Sequence, residues 1–204
     1  MQAKTIKGNS PNEIQVALNE ALAGEYKPPL AIVFLSIKQD WNAVSDVLDK
    51  KGIAVFGATS SGEFIDEEIG EGGITIMLLD INPAHFRTHF LETGEQTTQE
   101  NAIQLGEIGK TTFKNPAFII ASGWLSTDGE HIVEGITQGF GKDVTIFGGM
   151  AGDDLLLEGP LVFTNKQSST KGLLSLIIDE DKIEINGIAT CGWKAVGTTK
   201  TITK

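Results

Sequence analysis

Residues suited to holding a small ligand are concentrated in two short stretches of this sequence. Residues 55–63 read VFGATSSGE, and residues 146–154 read IFGGMAGDD. In each stretch a short apolar run reaches Phe-Gly, continues into small residues and ends on an acid. Backbone N–H groups exposed by a glycine-rich turn can hold an anion, and hydroxyl and carboxylate groups beside them add further donors and acceptors. The two stretches are therefore the candidate functional centre.

Hydrogen-bond donors and carboxylates occur together in these stretches, and that combination suits a zwitterion better than a phosphate. One aromatic residue near the end of the chain could also stack on such a ligand. We therefore predict a ligand site formed by Gly57, Thr59, Ser60, Ser61, Gly62, Glu63, Gly148, Gly149, Gly152, Asp153, Asp154 and Trp193. The alternative is that the glycines only permit tight strand exits, the acids are solvated, and the aromatic residue closes the end of a sheet.

Two catalytic patterns come close to matching the first stretch. Residues 57–62 have the G-x-x-x-x-G spacing of a phosphate loop, but Glu63 stands where the lysine should be and would repel phosphates. Residues 58–62 also approach the G-x-S-x-G pattern of hydrolases, with Ser60 as the nucleophile. Such a serine needs a base, and the chain has only three histidines, His85, His89 and His131. We predict no catalytic residue, and a hydrolase-like enzyme that uses Ser60 is the alternative function.

Metal binding is not expected from the remaining candidate residues. His85 and His89 have the spacing of a metal pair on a helix, but the residues around them alternate with period two, which is typical of a strand. Both imidazoles would then share a face with Arg87, and that cation disfavours a metal ion. The single cysteine, Cys191, lies at the end of an apolar run and is expected to be a buried, inert thiol.

Composition and charge limit the class of protein and its partners. The chain has 204 residues, 40% of them hydrophobic, and a formal net charge of -11. That charge repels nucleic acid and anionic membrane surfaces, so we expect neither as a partner. One cysteine allows no intrachain disulfide, the N-terminus lacks the apolar core of a signal peptide, and no apolar run reaches about 18 residues. A soluble cytoplasmic protein is therefore expected.

Capping signals and apolar periodicity predict the elements that position the candidate site. Helices are expected to begin at Ser10, Asp40, Thr97 and about Glu130. Strands are expected at 30–35, 53–56, 73–79, 85–91, 118–121, 144–147, 160–164, 172–178 and 183–190, with an edge strand at 198–203. The two candidate stretches would then be turns that follow the strands 53–56 and 144–147.

The order of these elements repeats along the chain. The first helix of each half begins at Ser10 and at Thr97, 87 residues apart (97 − 10), and Gly57 and Gly148 are 91 apart (148 − 57). A near-constant offset indicates an internal duplication. We therefore predict an α/β fold, with mixed sheet or sheets and helices on the outside, built from two duplicated α-β-α-β-β-β halves. The halves would span about 1–95 and 96–197 of a single domain 1–204, and their glycine turns would face one cleft.

The sequence resembles the N-terminal module of the FIST family, the sensory domains named for F-box and intracellular signal transduction proteins. The resemblance covers nearly the whole chain and rests on residues 57–63 (GATSSGE), residues 148–153 (GGMAGD) and Gly192-Trp193. The strand exit at 163–165 followed by Gly172 is also similar. Lys194-Ala195 departs from the pattern, because a proline-containing turn is expected after the Gly-Trp pair.

The resemblance implies a ligand-sensing domain of a signal-transduction protein. Members of the family are proposed to bind small molecules such as amino acids, and some are described as haem-binding nitric oxide sensors, so the resemblance admits haem although no cofactor is predicted here. The output would come from a downstream signalling protein or from a C-terminal module of the family that is missing here. The remaining alternative is a structural or protein-interaction module.

Overall fold

The computed structural model describes residues 1–65, 68–94, 96–123, 128–188, 196–198 and 201. The strands of the first sheet are β1 (Gln2–Gly8), β2 (Leu30–Ser36), β3 (Ala54–Ser60), β6 (Ile74–Asp80), β10 (Val162–Phe163) and β11 (Ser168–Ser169). The strands of the second sheet are β7 (Phe86–Glu92), β8 (Pro116–Ser122), β9 (Thr145–Met150) and β12 (Gly172–Asp179). A separate hairpin pairs β4 (Glu63–Ile65) with β5 (Glu68–Gly70). The helices are α1 (Pro11–Ala21), α2 (Trp41–Asp49), α3 (Thr98–Thr112) and α4 (Gly129–Phe140).

The helices begin where the capping signals predict them. The N-cap residues are Ser10, Asp40, Thr97 and Asp128. Thr97 and Glu100 form the reciprocal capping box that their spacing predicts. At the first helix the reciprocal bond is displaced by one residue, because the Glu13 carboxylate accepts from the backbone N–H of Asn9 at 2.9 Å. These local signals confirm the predicted helix starts.

Three apolar clusters arrange the elements into four layers. The first cluster joins α1 and α2 to one face of the first sheet, for example through Leu18 and Val33. The second joins the two sheets face to face, through Phe56 of one and Leu176 of the other. The third joins the second sheet to α3 and α4. The predicted α/β class, with mixed sheets and helices on the outside, is confirmed.

The two sheets share one topology over four strands each. The first runs β1-β6-β2-β3 before it continues into β10 and β11, and the second runs β7-β12-β8-β9. In each, the last of the four pairs parallel with its neighbour and the other two pairings are antiparallel. Gly57 lies opposite Val33 in the first sheet, and Gly148 lies opposite Ile120 in the second. A duplication would produce this correspondence, and it stays a hypothesis about the origin of the chain.

The sequence predicted that the chain turns directly after Phe56 and Phe147. This prediction is wrong, because both strands continue past the Phe-Gly pair. β3 extends to Ser60, and β9 extends to Met150. Gly57, Thr59 and Ser60 therefore lie in a strand, as do Gly148 and Gly149. Pairing explains the difference, since β2 and β10 flank β3 and β8 pairs with the whole of β9, which holds these small residues extended.

Other predicted elements differ at the ends of the chain and near residue 85. β1 was not predicted, and β7, placed in the first half by its sequence position, pairs with β12 in the second sheet. His85 ends a 3-10 turn (Pro83–His85) and is not in a strand. The described part of the predicted strand 183–190 contains no strand, although Ile183 and Ile185 pack against the core between the sheets. Most of the predicted strand 198–203 lies outside the described residues.

Searched over the described residues, none of the helices has the length and apolar character needed to cross a membrane.

Candidate functional site

The two candidate stretches lie side by side in the folded chain. The backbone N–H of Gly152 donates to the carbonyl oxygen of Thr59 at 2.9 Å, and the N–H of Asp154 donates to Ser61 Oγ at 3.2 Å. A Cβ added to Gly152 would overlap Ser61, so glycine is needed for this approach. The predicted meeting of the two stretches is thus observed, although they meet through strand ends and the segments just beyond them.

A cleft of about 410 Å³ lies between the two sheets at this meeting point. Six of the predicted site residues line it: Thr59, Ser60, Ser61, Gly148, Gly149 and Gly152. Its other walls are largely apolar and come from both sheets, with Phe34, Phe56 and Ala58 on one and Ile119, Ala121 and Met150 on the other. The cleft therefore has an apolar interior and a rim of hydroxyls and glycine backbone.

A second cavity of about 310 Å³ lies next to the cleft, between β4 and the first sheet. Gly62 and Glu63 line this cavity and not the cleft. Phe34 and Ser60 line both, so the two cavities meet at these side chains. Two of the predicted residues thus belong to the neighbouring cavity.

Glu63 is buried, 4% exposed, and both oxygens of its carboxylate accept hydrogen bonds from within the fold. Its Oε1 accepts from Ser60 Oγ at 2.7 Å, and its Oε2 accepts from the N–H of Gly73 at 2.9 Å. A buried carboxylate needs such partners, because leaving it unpaired costs several kcal/mol. Glu63 therefore orients the Ser60 hydroxyl, and neither of its oxygens is left without a partner.

Asp153 organises the segment that follows β9. Its Oδ2 accepts from the N–H of Glu158 at 2.8 Å and from that of Gly159 at 3.2 Å. Burial by itself would raise the pKa of this carboxyl, but backbone N–H groups, Gly159 first, outweigh it and hold the pKa below its ordinary value. The ionised carboxylate thus stabilises the segment at neutral pH, and this contribution is lost as the pH falls through the pKa of the folded state.

Asp154 is held by the end of β2 and the turn that follows it. Ser36 Oγ donates to its Oδ2 at 2.6 Å, and Lys38 Nζ lies 3.4 Å from the same oxygen. Neither Asp153 nor Asp154 is among the described residues that line the cleft. The acids predicted to take an ammonium group therefore make internal contacts.

Thr59 and Gly57 serve the packing of β3 as well. Thr59 Oγ1 accepts from the N–H of Leu161 at 2.7 Å. A Cβ on Gly57 would overlap the ring of Phe163, which packs in the core between the first sheet and its helices. Gly57 therefore faces the helix side of the first sheet and does not line the cleft. Trp193, the last predicted site residue, lies outside the described residues, as does Cys191.

Two residues that shape the site were missed because no local pattern identifies them: Phe34 lines the cleft, and Ser36 binds Asp154 without lining it. Phe34 and Ser36 were predicted only as parts of a buried strand and of the loop after it. Their places in the site depend on the register of β2 with β3, in which Phe34 lies opposite Ala58 and Ser36 opposite Ser60. Given that register, the period-two alternation of side chains indicates that Phe34 and Ser60 lie on the same face of the first sheet. It does not indicate that the second sheet leaves the cleft open over these two residues.

The histidines do not form the site that their spacing suggests. His85 lies in the 3-10 turn and His89 in β7. Burial first, and the nearby Arg87 cation second, lower the pKa of His89 below its usual range, which disfavours the protonated form. The partner of the Ser60 hydroxyl is Glu63 and not a histidine.

Two stacked sheets that share a strand order, covered by helices and enclosing a cleft at the strand ends, define an α/β domain with a candidate ligand cleft. The family model described as the FIST N domain matches residues 29–204 of the chain. The chain therefore belongs to the FIST family, a family of sensory domains in signal transduction, which confirms the resemblance seen in the sequence. No curated protein matches the chain.

Proposed function

We propose that this chain is a ligand-binding sensory domain and that the cleft between its sheets holds the ligand. The observation that carries the proposal is the convergence of both glycine-containing stretches on one concave site with an apolar interior. Ligand sites are typically clefts of this kind, in which a few polar groups fix the orientation of a mostly apolar contact. Membership of a sensory family supports the same function.

An amino acid is the ligand class that the resemblance implies, and the cleft suits one with a large apolar side chain. Such a side chain would contact Phe34 and Met150, while the charged groups would stay at the rim formed by Ser60, Ser61 and Gly152. Its carboxylate would accept from hydroxyl and backbone donors. The signal would pass to a downstream signalling protein or to a C-terminal module, in a cytoplasmic setting that the single cysteine favours.

Thermal unfolding with the amino acids, one at a time, tests this function. A ligand at about 100 times its dissociation constant stabilises the folded state by about 2.7 kcal/mol. Gly149→Leu fills the cleft without a clash, because no atom lies within 4 Å of a Cβ at Gly149. We expect the stabilisation in the wild type and its loss in Gly149→Leu, with Gly129→Leu on the open start of α4 as the matched control. Equal stabilisation of all three proteins would contradict binding in the cleft.

An enzyme that uses Ser60 is the second candidate function, and one observation favours it. Ser60 Oγ lies 2.7 Å from a buried carboxylate, so Glu63 could accept the hydroxyl proton that a histidine accepts in other serine enzymes. Turnover of simple esters by the wild type, lost in Ser60→Ala and in Glu63→Gln, would establish this activity. A protein that neither hydrolyses esters nor responds to ligands would instead be a structural or interaction module.

A further inference from the structure

The cleft adjoins the second cavity. The cleft, of about 410 Å³, and the second cavity, of about 310 Å³, are both lined by Phe34 and Ser60. Thr5, Met77 and Ile32 lie opposite one another on the inner face of β1, β6 and β2, and Phe34 lies on the same face. From β1 to β3 this face crosses three strand spacings, about 14 Å in all. A free amino acid fills only part of such a length.

Large apolar side chains in the walls of both cavities are accessible to solvent. Phe34 is 42% exposed, Met77 41% and Met150 43%, and each lines at least one of the cavities. Met77 lines the second cavity, Met150 lines the cleft, and Phe34 lines both. Methionine is flexible and adapts to the shape of apolar partners, and contiguous apolar surface commonly marks a binding groove.

The charges at the site disfavour an anionic ligand. Among the described residues that line the two cavities, none is lysine, arginine or histidine, and the one charged group is the Glu63 carboxylate. The formal net charge of the chain is -11. A carboxylate or phosphate head group that carries no ammonium group of its own would therefore be desolvated without a cation to pair with it.

We propose that the site binds an unbranched alkyl chain that carries an uncharged head group, such as a long-chain alcohol. The chain passes Phe34 and occupies both cavities, and the head group exchanges hydrogen bonds with the hydroxyl of Ser61 at the rim of the cleft. A flexible chain can follow the path around the Phe34 ring, whereas a rigid ring system would occupy one cavity. This inference rests on the proposed function, since it requires the cleft to bind a small molecule, and it replaces the amino acid by another ligand class.

The methionines of the chain provide a direct test. There are three: Met1, Met77 in the second cavity and Met150 in the cleft. Protein labelled with ¹³C at the methionine methyl groups is titrated with straight-chain alcohols of increasing length, with the matching carboxylic acids and with leucine and phenylalanine. We expect short alcohols to shift the Met150 signal and long ones to shift Met150 and Met77 together, while Met1 stays constant. The dissociation constant should fall about fourfold for each added methylene until both cavities are filled.

A charged substitution in the second cavity isolates the contribution of chain length. Met77→Glu places a carboxylate where the chain would end, so we expect it to weaken binding of the longest alcohols about tenfold or more and to leave the shortest unchanged. Val16→Glu, on the exposed face of α1, is the matched control and should bind both like the wild type.

Each other outcome has a distinct meaning. If long alcohols shift Met150 but never Met77, or if affinity does not depend on chain length, the inference is wrong while binding in the cleft stands. Carboxylic acids that bind as tightly as the alcohols would overturn the uncharged head group. If leucine or phenylalanine shifts Met150 and no alcohol does, the amino-acid ligand is favoured instead. If no compound shifts Met150, both the inference and the proposed function fail.

Discussion

β3 and β9 carry the same Phe-Gly pair at the same place in their sheets, yet their surroundings are different. β3 lies between β2 and β10, and its residues from Val55 to Thr59 are buried. β9 is the last strand of its sheet in the described part of the chain, and its residues from Gly148 to Met150 are exposed. One strand is a central element of the core, and the other forms an open wall of the cleft.

The comparison shows that one motif serves two purposes. Gly57 makes room for the ring of Phe163 on the helix side of its sheet, away from the cleft. Gly148 makes room for the backbone carbonyl of Ile120, and Gly149 next to it faces open space. The exposed end of β9 is therefore more accessible to a ligand than the glycine of β3, which is buried in the core.

The largest expected effect is that of Gly148→Ala. A Cβ at this position overlaps a backbone oxygen that cannot move without breaking the β8–β9 pairing, and the φ angle of +150° is unfavourable for alanine. We expect the free energy of unfolding to fall by about 3 kcal/mol or more, measured by urea denaturation. Gly149→Ala is the matched control, with an expected change within about 0.5 kcal/mol. Similar losses in both variants would show that β9 is as tightly packed as β3.

Gly57→Ala should cost somewhat less, about 2 kcal/mol, because the atom that it meets belongs to a side chain and not to the backbone. Phe163→Leu removes the ring, so in a double-mutant cycle the two changes should couple favourably by about 1 kcal/mol. Strictly additive losses would mean that the Phe163 ring is not what requires glycine in β3.

The helices and most strands of the fold could be predicted from the sequence because capping residues and short apolar runs are local signals. The N-caps at Ser10 and Thr97 are examples. The pairing of β10 with β3 could not, because a strand of two residues has almost no periodicity and its partner lies about a hundred residues away. For the same reason Gly57 was assigned to a ligand site: its neighbour in the core, Phe163, is distant in the sequence.

The acids of the candidate site show the same limit. Glu63, Asp153 and Asp154 were expected to face a ligand, because their carboxylates could take an ammonium group. Each has partners that only the folded chain supplies, among them the N–H of Gly73 and the hydroxyl of Ser36. The spacing did predict that the two stretches come together. Two halves with the same order of elements were expected to place their equivalent strand ends around one cleft.

Thr59 and Met150 occupy equivalent positions, two residues after the paired glycines, and they offer a matched pair of substitutions. Thr59 Oγ1 accepts from the N–H of Leu161 at 2.7 Å in the buried strand, whereas Met150 is partly exposed in the cleft. Thr59→Val keeps the shape but leaves that N–H without its acceptor, and we expect a loss of about 1–2 kcal/mol in unfolding free energy. Met150→Val should change it by less than about 0.5 kcal/mol. Equal effects would remove the distinction between a core strand and a cleft wall.

The smallest expected effect concerns the segments that follow the two strands. After β3 the positive φ angle falls on a glycine, +133° at Gly62, whereas the segment after β9 has three non-glycine residues with positive φ, Asp154, Leu155 and Leu157, in addition to Gly159. A residue with a side chain in the left-handed region is destabilised by roughly 1–2 kcal/mol. Substitution by glycine removes this strain but also raises the conformational entropy of the unfolded chain, which offsets part of the gain. Leu155 is 83% exposed, so little apolar burial is lost with it. We therefore expect Leu155→Gly to raise the free energy of unfolding by about 0.5 kcal/mol, and Gly62→Ala, measured by the same urea titration, to lower it. A loss of stability in Leu155→Gly would mean that this exposed leucine contributes contacts that outweigh its strained backbone.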